Sequence, residues 1–134
     1  MDAQQQHTLW AIAAEHYEAA QLTAQQGWHN VSVACSYYAV YTVMWLALDA
    51  PPGGQWSHAG ILQHFAPGSW RQPPTPLARA LIRAIRRLYN ARVQAQYLRE
   101  RLTSSDSAEG FHTAHQVLPL VASTFGLSHG EIRP

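Results

Sequence analysis

Between Ala19 and Leu48 the chain carries no Asp, Glu, Lys or Arg, and from Val31 it reads VSVACSYYAVYTVMWLAL. Wound at helical spacing, this stretch places apolar and aromatic side chains on every face, the pattern of a helix buried by neighbours all round. Tyr37-Tyr38-Ala39-Val40-Tyr41 does not alternate, which excludes a half-buried strand. A membrane span is the rival reading, because about 18 mostly apolar residues can cross a bilayer. Ser32, Ser36, Thr42 and the three tyrosines break the run into short apolar pieces. We read Val31–Leu48 as the core helix of a soluble helical bundle, with no membrane partner.

A chain of 134 residues can bury such a helix within one domain, expected over residues 1–134 with its core at about 4–126. The polar start, MDAQQQHTLW, has no secretory pattern. The single cysteine, Cys35, permits no internal disulfide. Both features point to the cytoplasm. With no charged neighbour in sequence, Cys35 reads as a small core residue, not a nucleophile.

Further helices assemble around the core one. Leu9, Ile12, Ala13, Tyr17, Ala20 and Ala24 recur at three- and four-residue steps, predicting a first helix over 4–26 that Gly27 ends. Asn30 is the expected cap of the second helix, and Asp49-Ala50-Pro51-Pro52-Gly53-Gly54 stops it. Ser57 should cap a short helix, His58–Phe65, before a proline-rich loop. Thr75-Pro76 looks like an N-cap followed by an N1 proline, opening a long helix from Leu77 to about Leu102. Thr103-Ser104-Ser105-Asp106 then caps a fifth helix that ends near Phe125, with Phe111, Leu118, Val121 and Phe125 inward, a kink at Pro119 and Gly126 as C-cap. The predicted class is all-α: an antiparallel four-helix bundle with an additional short helix.

Charge is concentrated on one element. All nine basic residues are arginine, and seven of them fall between Arg79 and Arg101, against the single acid Glu100. Such a helix suits a phosphate-bearing or acidic partner, although a solvated face would carry the same pattern. Projected at 100° per residue, Arg79, Arg83, Arg86, Arg87 and Arg101 share a polar face with Asn90, Gln94 and Tyr97. Arg92 and Arg99 fall on the inward stripe of Leu81, Ile85, Leu88 and Ala95. A buried guanidinium needs a partner, so Arg92 should meet Glu15 or Glu18, a second subunit, or a bound phosphate.

The remaining chemistry is sparse. His112 and His115 lie one turn apart without an accompanying carboxylate motif, so no metal site is assigned. Pro52-Gly53-Gly54 precedes no lysine and cannot form a phosphate-binding P-loop. No cofactor is implied. Tyr37, Tyr38 and Tyr41 suit a core as well as a ligand, and His58 suits local capping or packing as well as a site.

Three motifs together give a resemblance. Ser36-Tyr37-Tyr38-Ala39-Val40-Tyr41 on the second helix is similar to the Ala-Tyr-Tyr-Ala-like signature of a bacterial subgroup of HEPN domains. Ser57-His58-Ala59-Gly60-Ile61 resembles that family's Ser/Lys-His-x-Gly-like start to the short helix. Arg92-Val93-Gln94-Ala95-Gln96-Tyr97 resembles its Arg-x-x-Ala-x-Tyr-like element. These motifs keep the family order on the expected helices, over about residues 25–125.

The resemblance implies a HEPN-like bundle that forms a homodimer and binds RNA or nucleotides in toxin–antitoxin or defence systems. It also implies a nucleotidyltransferase-type antitoxin as partner. Family nucleases use an arginine followed by a histidine, the one steadying phosphorane charge and the other moving a proton. Here Tyr97 stands where that histidine would be, and a phenol with an ordinary pKa near 10 is a poor base at neutral pH. Cys35 also replaces an arginine that often precedes the paired tyrosines. The leading expectation is therefore an RNA- or nucleotide-binding module, with Arg83, Arg86, Arg87, Asn90 and Tyr37 as nucleic-acid contacts. One alternative is an active ribonuclease using Arg92 with Tyr97 or His58. A second is an interaction subunit that docks an acidic protein.

Overall fold

The computed structural model describes residues 1–51 and 53–132. Their chain folds into five helices: α1 (Ala3–Gln25), α2 (His29–Leu48), α3 (His58–Phe65), α4 (Arg79–Tyr97) and α5 (Ser104–Phe125). The described residues form no strand, only one isolated bridge between His129 and Ile132. The protein is all-α.

The charge-free stretch is the hub, because α2 packs against each of the other four helices. Val33, Tyr37, Val40, Val43, Met44 and Leu46 of α2 are essentially fully buried. Among the described residues, α2 alone has the length and apolar composition of a membrane span, and half of that stretch is buried inside the protein. One of its two buried serines is satisfied by a neighbouring helix: Ser32 Oγ donates to Ala20 O of α1 at 2.7 Å.

On α1 the buried face differs from the predicted stripe. Asp2, unassigned from sequence, closes a capping box with Gln5. Trp10, Ala13, Ala14 and Ala20 face the core, whereas Ile12 is exposed. Trp10, three residues before Ala13, lies outside the predicted stripe but packs inward, where its indole N–H donates to Ser128 O at 3.0 Å. Asn30 is not a cap. It lies within α2, which starts at His29, and its side chain reaches the segment after α4. The turn after α2 matches expectation at Asp49, while Pro52 lies outside the described residues.

The long helix is shorter than predicted at both ends. Thr75 and Pro76 stay outside it because Leu77 is buried and donates its N–H to Ala66 O at 2.9 Å, holding this segment extended until Arg79. The loop closes tightly here. A Cβ on Gly68, whose φ is +71°, would stand 1.7 Å from Thr75 O, so only glycine fits. At the other end Arg99 takes φ 55°, turning the chain out of α4, so Arg99 and Arg101 are exposed and off the helix. Asn30 holds that turn by donating to Glu100 O at 2.8 Å and accepting from Leu102 N at 2.7 Å.

The fifth helix starts as predicted, with Thr103 and Asp106 forming a reciprocal capping box. It continues unbroken through Pro119 to Phe125, and Gly126 closes it in the left-handed region. Leu118 and Val121 are buried, and Phe111 and Phe125 are half-buried. Gly110 lets α5 approach α2 and α4, since a Cβ there would lie 3.1 Å from Leu88 Cδ1 and 3.6 Å from Ser36 Cβ.

Candidate functional site

Ser57 caps α3 as predicted, its hydroxyl accepting from Gly60 N at 2.8 Å. That cap places His58 at the first residue of the helix, facing α2. There His58 Nδ1 and the Tyr37 hydroxyl lie 2.6 Å apart. Tyr41, one turn further along α2, stacks on the His58 ring at 4.6 Å and 29°. Tyr41 in turn donates to Trp56 O at 2.8 Å, and Trp56 Nε1 donates to Asp49 O at 2.6 Å. The segment leading to α3 is thereby fastened to the end of α2.

Behind this pair stands Arg92, only 7% exposed. It sits on the inward face of α4 with Ile85 and Leu88, as the helical projection predicts. The expected ion pair with Glu15 or Glu18 is not formed. Glu18 pairs instead with His129 Nε2 at 2.6 Å, and Glu15 is exposed. Arg92 Nη2 donates to the Tyr38 hydroxyl at 2.9 Å, and its Cζ lies 5.1 Å from the ring centroids of both Tyr37 and Tyr38. Aromatic faces and a phenol hold the guanidinium where a carboxylate was expected. Arg92 Nε is buried without a hydrogen-bond partner among the described residues, as is Ser36 Oγ.

The cluster sets its own protonation. Burial pushes the Tyr37 phenol far above its ordinary range, and the opposing effect of Arg92 is smaller. Burial of His58, reinforced by the Arg92 charge, lowers its pKa and so favours the neutral ring. A protonated phenol facing a neutral imidazole donates to Nδ1, which leaves the ring proton on Nε2. Cys35 is half-buried and not the core residue expected, while burial raises its thiol pKa, which disfavours the reactive thiolate.

Between α2, α3 and α4 this cluster opens into a pocket of about 260 Å³, lined by Tyr37, His58, Tyr89, Arg86 and Asn90 with Met44, Leu62 and Ile85 beneath. Four of the residues singled out from sequence, Tyr37, His58, Arg86 and Asn90, thus meet in one place. Arg83 and Arg87 are exposed on α4 outside this pocket, and Arg87 turns toward α5, where its Nε donates to Glu109 Oε1 at 2.8 Å. Tyr97 is the outlier. It is the last residue of α4 and 66% exposed. Five helical steps separate it from Arg92 by about 7.5 Å of rise and about 140° of rotation, so the two do not face one ligand.

Sequence reasoning did not assign Tyr89 to the site. Its ring centroid is 5.6 Å from Tyr37 and 6.3 Å from His58. Its spacing from Ile85 and Arg92 could have placed it at the edge of the inward stripe. Elsewhere, His112 and His115 are both exposed, with His115 Nδ1 2.7 Å from the Tyr17 hydroxyl. No three His, Cys, Asp or Glu side chains converge on a metal position among the described residues.

No family model matches the chain, and neither a characterised protein nor a solved structure is significantly similar to it.

Proposed function

We propose that this chain is a HEPN-like antiparallel four-helix bundle, with α3 as its additional short helix, that binds RNA or a nucleotide. One observation carries the reading. Residues from two HEPN-like motifs, Tyr37 and His58, line the same pocket as Arg86 and Asn90 of the cationic α4 face, with Arg92 of the third motif directly behind. Stacking surfaces beside exposed arginines are what a base and its phosphate require.

The biological setting is a toxin–antitoxin or defence system in the cytoplasm, with the chain acting as a homodimer beside a nucleotidyltransferase-type partner. That setting rests on the motif resemblance. Exposed Leu22, Trp28, Val31 and Leu98, gathered where α1 ends, α2 begins and α4 stops, support a subunit contact.

Single-stranded RNA binding measured by fluorescence anisotropy between 50 and 200 mM salt tests the reading. Replacing Arg83, Arg86 and Arg87 with glutamate should abolish retention, and replacing them with alanine should flatten the salt slope by about 2, at about 0.7 per lost phosphate contact. Equal binding by all forms would sink it.

Ribonuclease activity is a second reading, favoured by the neutral His58 ring beside the Arg92 charge. A neutral imidazole can take a proton while a guanidinium steadies developing phosphorane charge. Cleavage in EDTA that disappears in His58→Asn and Arg92→Met would establish it. Intact RNA with the wild-type protein would exclude it.

A further inference from the structure

The rings of Tyr37, His58 and Tyr89 form a nearly regular triangle, with centroids 5.6, 5.6 and 6.3 Å apart. His58 and Tyr89 are close to parallel, at 24°. Tyr41 covers His58 at 4.6 Å, holding the imidazole in place. We propose that this pocket binds one unstacked nucleobase, with the base lying against the Tyr89 ring and its edge toward His58, a base carbonyl accepting from the in-plane His58 Nε2–H, and Arg86 on the adjoining phosphate. This rests on the nucleotide-binding reading above and names the feature that reading would recognise.

Size, polarity and tautomer all support it. At about 260 Å³ the pocket falls just below the roughly 300–1,000 Å³ that drug-sized ligands fill, which suits a base whose ribose and phosphate remain at the mouth. Its floor, Met44, Leu62 and Ile85, is apolar. The polar groups Gln63, Arg86 and Asn90 are exposed around it, where a phosphate would lie. The Tyr37 hydroxyl occupies Nδ1 of His58, so Nε2–H is left without a protein partner among the described residues. A fixed donor discriminates by what it meets. Guanine and uracil present carbonyl oxygens, whereas adenine presents none.

The same chemistry arrives either as a free mononucleotide or as one residue of an RNA strand. The test therefore has two arms, both with the full-length chain. In the first, GMP, UMP and AMP are titrated by tyrosine and tryptophan fluorescence. In the second, a single-stranded RNA hexamer is compared with the same hexamer bearing one abasic residue. Binding in the first arm identifies free nucleotides, and binding in the second arm alone identifies an RNA residue. GMP or UMP, or hexamers containing G or U, should bind about threefold or more tighter than their adenine counterparts. Ala59→Trp, on an exposed α3 position lining the pocket, should lower affinity at least tenfold with an unchanged thermal melt. Tyr89→Leu should do the same, and Tyr89→Phe should restore binding.

Three results overturn the proposal: no binding in either arm, no discrimination against adenine, or wild-type affinity in Ala59→Trp. If RNA is still retained through the α4 arginines while Ala59→Trp changes nothing, the base pocket fails alone. If neither RNA nor a mononucleotide is retained, the nucleotide-binding reading fails with it.

Discussion

Arg92 shows how much a single side chain depends on its surroundings. Its position on the inward face of α4 follows from spacing alone, but its partners come from α2: the Tyr38 hydroxyl and the faces of Tyr37 and Tyr38. A buried cation held this way, with Nε unsatisfied, is a costly choice for stability. Arg92→Met keeps most of the volume and removes both the charge and the orphaned donor. We expect it to be as stable as the wild type or up to about 1 kcal/mol more stable, since the orphaned donor is removed while the Tyr38 hydroxyl loses its partner. Arg92→Ala, which leaves a void among Tyr37, Ile85 and Leu88, should lose about 2–4 kcal/mol. Chemical denaturation of both variants measures this. A destabilised Arg92→Met would mean that the guanidinium is a structural keystone.

At the scale of elements, caps explain why the helices stop where they do. The short helix and the start of α5 could be read directly, since Ser57 and Thr103 are local signals whose hydroxyls accept from backbone N–H groups three residues away. The ends of α4 could not. Its start is delayed by the anchoring of Leu77 to Ala66, and its end is set by Asn30, about 70 residues earlier in the chain. Asn30→Ala should therefore free the turn at Leu98–Leu102. We expect faster hydrogen exchange at the Leu102 amide and a loss of about 1 kcal/mol, with α2 itself intact. Unchanged exchange at Leu102 would show that the turn holds without Asn30.

For the molecule as a whole, stability should vary with pH through groups buried around α2. Tyr37, Tyr17 and Tyr41 have folded pKa values raised chiefly by burial, and so does Cys35. A raised value means that the folded state keeps a proton which the unfolded chain releases. Their contribution is complete below the ordinary thiol and phenol values, about 8.5 and 10, and is lost as pH rises past them. His58 works in the opposite direction. Its folded pKa is lowered, so its contribution is complete above about 6.5 and is lost as pH falls. Thermal melts should plateau between about pH 6.5 and 8.5 and decline on both sides. Tyr37→Phe should soften the alkaline decline. An alkaline decline unchanged by Tyr37→Phe would mean that this phenol is not the dominant buried one.

Helix content and the identity of the central helix were determined by the sequence itself. A charge-free stretch with side chains on all sides can be satisfied only by neighbours all round, and α2 has them. The placement of His58 at a helix start and of Arg92 on an inward face followed from local rules of capping and period. Which residues meet was decided by tertiary packing. The pocket joins Tyr37, His58, Arg86 and Tyr89 from three helices across about 50 positions of chain, and no local pattern encodes that distance. The partner of Arg92 was settled the same way. Carboxylates were available on α1, but α2 lies against α4, and its tyrosines reached the guanidinium first. Periodicity states which face turns inward, and only the packed structure states what that face meets.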